Sequence, residues 1–141
     1  MSAAAHVAAF DPGRNVGYAL VAADGRRLDA AVFDVADLSP ERLRARVPDG
    51  VRVVVGAGTG AARVSAALEA AGRPAELVDE VGTSLEGRDL WRRCVPPRGL
   101  ARWLPAGLRV PSAPIDDYAA WAIALRVLGV ASEAAPGRTD A

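Results

Sequence analysis

Carboxylates stand at three points of the sequence where a secondary-structure element is predicted to end or begin. Asp11 ends the apolar run that opens AAFDPGRNVGYALV, Asp79 and Glu80 end the run AELVDE, and Asp116 and Asp117 open DDYAAWAIALRVLG. A buried carboxylate is costly unless it is hydrogen-bonded, paired or bound to a cation. Carboxylate oxygens are also the ligands that Mg²⁺ and Mn²⁺ prefer. The three points therefore predict a divalent metal site, provided that the fold brings them together.

The pattern of apolar residues predicts the elements that position these acids. Three strands are predicted at HVAAFD, VGYALVAA and LDAAVFDV, and the Asp24-Gly25 pair is a strong hairpin signal between the last two. Ser39 and Pro40 have the residue types of an N-cap and a first helical position, which predicts a short helix that ends near Pro48. The first part of the chain is therefore predicted to be an antiparallel meander followed by a helix.

The middle of the sequence changes to alternating strands and helices. VRVVVG is a continuous apolar run typical of a central parallel strand, and AELVDE predicts another strand. Between them, TGAARVSAALEAAG places Val64, Leu68 and Ala71 at helical spacing. The chain is thus predicted to be an α/β protein with a mixed five-stranded sheet, three antiparallel strands followed by parallel strands, flanked by helices.

Two further helices are predicted beyond the fifth strand. Thr83 to Glu86 has the capping-box pattern of a helix start, and residues 96–114 form a long loop rich in Pro, Gly and Arg. The segment that begins at Asp116 is apolar almost all round, which indicates a buried helix. Ligand sites of open α/β sheets lie outside the carboxyl ends of the strands, so Asp11 and Glu80 are predicted to share one edge. The last helix can deliver a third carboxylate there from its N-terminus.

Composition limits the classes of protein to consider. With 141 residues and 51% hydrophobic residues, the chain fits one domain over residues 1–130, with a tail at 131–141 that we expect to be disordered. No apolar stretch reaches the about 18 residues of a membrane span, and the N-terminus lacks signal-peptide features, so we expect a cytoplasmic protein. Cys94 is the single cysteine, which excludes an intramolecular disulfide and a cysteine zinc site.

The basic residues are distributed unevenly although the formal net charge is zero. All 17 are arginine, and the segment from Arg88 to Arg109 holds six of them against one acid, Asp89. Such a patch could follow a phosphate backbone, and a solvated surface is an equal alternative. The candidate nucleic-acid-binding residues are Arg14, Arg88, Arg92, Arg93, Arg98 and Arg102.

The ordered set of segments FDPGRNVGYALV, LVDEVGTSLEGRDLWRR and PIDDYAAWAIAL resembles the YqgF family, also called RuvX, in the RuvC-like branch of the ribonuclease H fold. The resemblance covers roughly residues 6–129. It implies a nuclease that uses Mg²⁺ or Mn²⁺, with two bound ions. It also implies the roles of the acids: Asp11, Glu80 and Asp116 as catalytic metal ligands, with Asp117 as a further candidate ligand.

The same resemblance implies the substrate class and the partners. Family members are linked to maturation of the 5′ end of 16S rRNA, and kinship with RuvC links them to branched DNA such as the Holliday junction. We therefore expect structured RNA or branched DNA as the partner, with ribosomal precursor particles as a possible setting. A monomer or weak homodimer is expected, and no membrane partner.

Two departures from the family pattern stand out. The segment after the fourth strand is GAGTGA, where relatives commonly have Gly-Leu-Pro. RuvC-type resolvases carry another acid one helical turn beyond the first acid of the last helix, and that position here is Ala119. Asp117 is the nearest substitute, but it projects about 100° further round a helix than Asp116. The resemblance to a true junction resolvase is therefore weaker than the resemblance to the YqgF group.

Three other interpretations remain open from the sequence. VVVGAGTGAARVSAALEAAGRPAELVDE combines a strand, G-x-G-x-x-A, a helix and an acid about 20 residues on, which is close to a dinucleotide-binding fingerprint. Actin-like ATPases, which share the wider fold, use an Asp-x-Gly turn after their first strand, but they need two such domains. A chain that kept the fold and lost turnover would be a nucleic-acid or ribosome-assembly binding module.

Overall fold

The computed structural model describes residues 6–79, residue 90 and residues 116–129. The strands are β1 (Val7–Asp11), β2 (Asn15–Val21), β3 (Arg27–Asp34), β4 (Arg52–Gly56) and β5 (Glu76–Val78). The helices with described bounds are α1 (Pro40–Arg46), α2 (Ala61–Ala70) and α3 (Asp116–Leu128). A 3₁₀ turn, Val35–Asp37, which the sequence pattern did not predict, follows β3.

The predicted antiparallel meander is confirmed, and its hairpin forms at the predicted residues. β1 pairs antiparallel with β2, and β2 with β3. In the hairpin, the Gly25 N–H donates to Ala22 O at 2.9 Å, and the Ala22 N–H donates to Arg26 O at 2.9 Å. Gly25 has φ +93°, a left-handed conformation that glycine adopts without a steric penalty. A register shift between Leu20 and Val21 marks an irregularity beside the turn.

The parallel half of the sheet is also as predicted. β4 lies beside β1 and β5 lies beside β4, both in parallel, so the strand order is β3-β2-β1-β4-β5. Ser39 caps α1 by accepting a hydrogen bond from the Arg42 N–H, with Pro40 as the first helical residue. This mixed five-stranded order, with three antiparallel strands followed by parallel ones, is that of the ribonuclease H-like fold.

Each face of the sheet is covered by its own apolar core. Alternation along β1 sends Ala8 and Phe10 to the face that α1 and α2 cover, where Leu68 of α2 is fully buried. Val7 and Ala9 face the opposite core, which is built on α3. Every residue of α3 from 118 to 125 is buried, which confirms that its apolar pattern predicts burial.

Several predicted features lie outside the described residues. They are the helix start at Thr83–Glu86, the loop 96–114 and the tail 131–141. Among the described helices, none is both long enough and apolar enough to cross a membrane.

Candidate active site

Asp11 is the last residue of the central strand β1, at the carboxyl edge of the sheet. It has the same alternation as Val7 and Ala9, whose side chains lie in the core built on α3, so its position belongs to that face. Asp11 is only partly buried, whereas the four residues before it in β1 are buried. The strand therefore carries its carboxylate out of the core at the edge where ligands bind in α/β sheets.

The sheet positions on both sides of Asp11 are glycines. Gly17 of β2 is the direct partner of Asp11 in the antiparallel ladder. On the other side, Gly56 follows Val55, which is the β4 partner of Phe10. Neither glycine has a side chain, so these two positions place no side chain beside the Asp11 carboxylate. An acidic oxygen donor flanked in this way fits a hard divalent cation.

The turn after Asp11 packs against the start of α2. Gly60, the N-cap of α2, has φ +91°, and a Cβ built on it would lie 3.8 Å from Pro12 Cβ and 3.9 Å from Gly13 N. A Cβ on Gly13 would lie only 3.3 Å from Asn15 O, which is tighter than ordinary contact. Arg14, a predicted nucleic-acid contact, is exposed in the same turn, directly after Gly13.

Three amides of the glycine-rich loop between β4 and α2 donate hydrogen bonds to carbonyl groups of the protein. The Ala57 N–H donates to Val78 O at 2.8 Å, the Gly58 N–H to Gly56 O at 3.0 Å and the Ala61 N–H to Gly58 O at 3.1 Å. A dinucleotide-binding loop instead directs its amides at a pyrophosphate. The sheet also contains an antiparallel meander, whereas dinucleotide-binding folds are mostly parallel. Both observations disfavour the dinucleotide-binding alternative.

The second predicted acid lies just past the described end of β5. Asp79 follows β5 and is exposed, and Glu80 lies outside the described residues. β5 is two strands from β1, so the ends of these strands are roughly 10 Å apart at the usual spacing of strands in a sheet. Gly56 pairs with Val78 and lies between the two strand ends. Because Gly56 has no side chain, this position of β4 places none between the end of β1 and the end of β5.

The third predicted group opens α3. Asp116 is its first residue, and the side chain of Asp116 lies outside the described part of the structure. Asp117 Oδ2 accepts a hydrogen bond from Arg27 Nη1 at 3.1 Å, and the two side chains are only 19% and 10% exposed. The third acid of the site is predicted to be Asp116, and Asp117 has a basic partner on β3.

Arg27 is a residue that the sequence pattern did not single out. Its guanidinium carbon lies 4.6 Å from the ring centre of Tyr118 and 5.0 Å from that of Trp121. Trp121 also donates from Nε1 to Gly25 O at 2.9 Å, so the first two turns of α3 are bound to the β2–β3 hairpin. Nothing near Arg27 in the sequence signals these contacts, because its partners are about 90 residues further along the chain.

The structure does not describe the other arginines that were predicted to bind nucleic acid. Arg88, Arg92, Arg93, Arg98 and Arg102 all lie outside them. Within the ranges 6–79 and 116–129 and at residue 90, no three His, Cys, Asp or Glu residues form a potential metal cluster. That set includes neither Glu80 nor the side chain of Asp116, so the convergence of Asp11, Glu80 and Asp116 stays a prediction.

Comparisons with known proteins add likenesses to solved structures. No protein-family model matches the chain, and no curated protein sequence matches it. RuvC from Thermus thermophilus is similar in structure, with 21% identity over 85% of this chain and 91% of that chain and a TM-score of 0.48. A ROK family protein from Streptococcus pneumoniae, solved in complex with sucrose, has 19% identity over 58% of this chain and 37% of its own, with a TM-score of 0.38.

Proposed function

We propose that this protein is a metal-dependent nuclease that hydrolyses phosphodiester bonds in structured nucleic acid, with the 5′ end of the 16S rRNA precursor as its substrate. The observation that carries the proposal is the position of Asp11. It ends the central strand of a ribonuclease H-like sheet, at the carboxyl edge, between two glycines. The substrate follows from the resemblance to the YqgF family.

Three carboxylates are proposed to hold the metal ions: Asp11, Glu80 and Asp116. These carboxylates would hold Mg²⁺ or Mn²⁺, which would supply a lowered pKa for an attacking water and positive charge for the departing 3′ oxygen. The residues of the chain supply negative charge in a fixed arrangement. Asp11 is suited to this because it is partly buried at the end of a strand that is buried on both faces, so its backbone is held in place.

Arginines are proposed to hold the substrate phosphates. Arg14 is exposed and lies three residues after Asp11, in the turn at the same edge of the sheet. Guanidinium groups suit this task because they form paired, charge-assisted hydrogen bonds with phosphate oxygens. The arginines between 88 and 102 are proposed to contact the flanking backbone. We further propose that the protein acts as a monomer or weak homodimer on ribosomal precursor particles.

The nuclease assay uses the purified chain with Mg²⁺ and separately with Mn²⁺. It offers a 5′-extended 16S rRNA precursor and a four-way DNA junction, and it maps the product ends. We expect cleavage of the RNA at its 5′ extension and loss of cleavage when the metal is chelated. Preferred cleavage of the junction would instead make the protein a branched-DNA endonuclease. Binding of either substrate without cleavage would favour a non-catalytic binding module.

Asp11→Asn is the variant that tests the site within this assay. It removes one negative charge and keeps the shape of the side chain, so cleavage should fall to background while the far-UV circular dichroism stays that of the wild type. Asp24→Asn is the matched control, because Asp24 is an exposed hairpin residue paired with Arg26. Wild-type turnover by Asp11→Asn, or turnover by the wild type in excess chelator, would reject the proposed mechanism.

A further inference from the structure

β3 forms one edge of the sheet that the described residues build. It pairs with β2 on one side, and no described strand pairs with it on the other side. With eight residues, it is the longest of the described strands. An edge strand presents backbone N–H and C=O groups that can pair with a strand of another molecule. The open side of β3 is therefore a potential site of strand addition.

Side chains already bind the backbone of Ala30, in the middle of β3. The Ala30 N–H donates to Asp29 Oδ1 at 2.9 Å, and Ala30 O accepts from Arg46 Nη2 at 2.9 Å. In an antiparallel ladder, each residue directs its N–H and its C=O to the same side of the strand. Both groups of Ala30 thus face the open side of β3, and both have partners there.

The two side chains that bind Ala30 also bind each other. Arg46 Nε donates to Asp29 Oδ2 at 2.8 Å, and Arg46 Nη2 donates to Asp29 Oδ1 at 3.0 Å. Such a paired arrangement fixes the planar guanidinium relative to the carboxylate. Arg46 is the last residue of α1, so this Asp29–Arg46 pair, the edge clip, joins the helix to the sheet edge. An ion pair this exposed, 43% and 35%, ordinarily adds little stability, so its position on the strand edge is its distinctive property.

The part of β3 that follows Asp29 is apolar and complementary to itself. Alternate residues of a strand direct their backbone groups to the same side, so Val32 faces the open side together with Ala30. Two copies of β3 can pair antiparallel with Val32 opposite Val32. Ala30 then lies opposite Asp34, and Ala31 lies opposite Phe33, so no acid faces an acid. This pairing requires the N–H and the C=O of Ala30 from both copies.

We propose that the edge clip closes β3 to strand addition, and that the strand it excludes is β3 of a second copy of this chain. A second copy is the occupant because the register centred on Val32 matches the segment to itself. While Asp29 and Arg46 bind Ala30, the incoming strand cannot form its hydrogen bonds with that residue. The clip therefore opposes association of the protein through this edge. This role is separate from the proposed nuclease function.

Asp29→Ala combined with Arg46→Ala removes the clip and leaves the net charge unchanged. The Tyr18 hydroxyl donates to the backbone oxygen of Arg46, and that contact does not need the arginine side chain. Sedimentation equilibrium over a range of protein concentrations, without metal or nucleic acid, measures the dissociation constant of the dimer. We expect the double variant to dimerise at least about tenfold more tightly than the wild type, because the released backbone groups form hydrogen bonds between copies.

Arg52→Ala combined with Glu76→Ala is the matched control. This pair is similarly exposed, its removal also leaves the net charge unchanged, and its hydrogen bonds join the side chains of β4 and β5. Its dissociation constant should equal that of the wild type. Val32→Pro, added to the variant without the clip, removes the N–H at the centre of the proposed pairing. Proline is tolerated where the N–H of an edge strand faces outward, so this change should restore the wild-type dissociation constant.

Three results would overturn the proposal. The first is an unchanged dissociation constant for the variant without the clip, when its circular dichroism equals that of the wild type. The second is tighter association that Val32→Pro does not reverse, which would place the contact on another surface. The third applies if the double variant does not fold. Asp29→Ala alone then decides, because it releases the Ala30 N–H and keeps Arg46, and association no tighter than that of the wild type would reject the role of the clip.

Discussion

Replacing Trp121 with Phe should destabilise the protein although the new residue is also aromatic. Trp121 is 1% exposed, and its Nε1 donates to the carbonyl oxygen of Gly25, a buried residue of the hairpin turn, at 2.9 Å. Phe keeps a ring for Arg27 to contact but lacks the N–H, so the Gly25 carbonyl loses this donor. Leaving a buried acceptor unpaired costs about 1–3 kcal/mol. The smaller side chain adds a cavity cost of about 1 kcal/mol, a fraction of the cost of a full truncation to Ala.

The combined loss in the free energy of unfolding is therefore about 2–4 kcal/mol. For a chain of this size, each kcal/mol lowers Tm by about 4 °C, so Tm should fall by about 8–16 °C. Urea unfolding followed by far-UV circular dichroism measures the loss without relying on tryptophan fluorescence, which the substitution itself changes. Arg26→Met is the control, because this exposed hairpin residue does not contact α3 through any described hydrogen bond, and it should cost less than about 0.5 kcal/mol.

A loss below about 1 kcal/mol for Trp121→Phe would refute this reasoning, since it would lie under the cost of one unpaired buried carbonyl. It would also weaken the view that the hairpin fixes α3.

Leu68→Ala removes a fully buried side chain and should lower the free energy of unfolding by about 2–5 kcal/mol. Leu77→Ala, at a 60% exposed position, should lower it by less than about 0.5 kcal/mol. Equal losses in urea unfolding would contradict the packing described. Burial raises the pKa of Tyr18 above its ordinary value, so the stability it contributes is present below pH about 10 and is lost as the pH rises toward the folded-state pKa, by up to about 1.4 kcal/mol per pH unit. The chain contains no lysine to titrate in the same range. In urea unfolding from about pH 9 to about pH 11.5, on both sides of the ordinary tyrosine pKa, the free energy of unfolding should decline less steeply for Tyr18→Phe than for the wild type. An identical decline in the two proteins would argue against a buried phenol. Gly60→Ala and Gly50→Ala both place a Cβ at positive φ, +91° and +80°, at a cost of about 1–2 kcal/mol each. Only Gly60 adjoins the turn after β1, so only Gly60→Ala should also weaken Mn²⁺ binding, and equal binding by the two variants would separate that turn from the site.

The parts of the fold that the sequence predicts well are those with a local cause. The Asp24-Gly25 hairpin forms because glycine adopts positive φ in the turn without a penalty. The start of α1 follows from Ser39, whose hydroxyl accepts a hydrogen bond from a backbone N–H three residues later. The 3₁₀ turn at Val35–Asp37 also has a local cause, the Asp34 side chain that accepts from the Ala36 N–H. This turn has only three residues, too few to show a repeating pattern of apolar residues in the sequence.

The candidate site was predictable only in part, because its parts come together through register and not through spacing. Asp11 is identifiable as the acid at the end of an apolar run, and the structure places it there. The roles of Gly17 and Gly56 depend on pairing across β1, β2 and β4, which a single sequence does not specify. The predicted meeting of Asp11 with Glu80 and Asp116 is not tested by the described residues.

The contacts of Arg27 show why buried charged contacts between distant parts of the chain escape a search for motifs. An arginine at the start of a strand is an ordinary surface residue by its sequence, and adjacent acids at a helix start are ordinarily explained by the helix dipole. Arg27 and Asp117 gain a specific role only because the meander delivers the first residue of β3 beneath the first turn of α3.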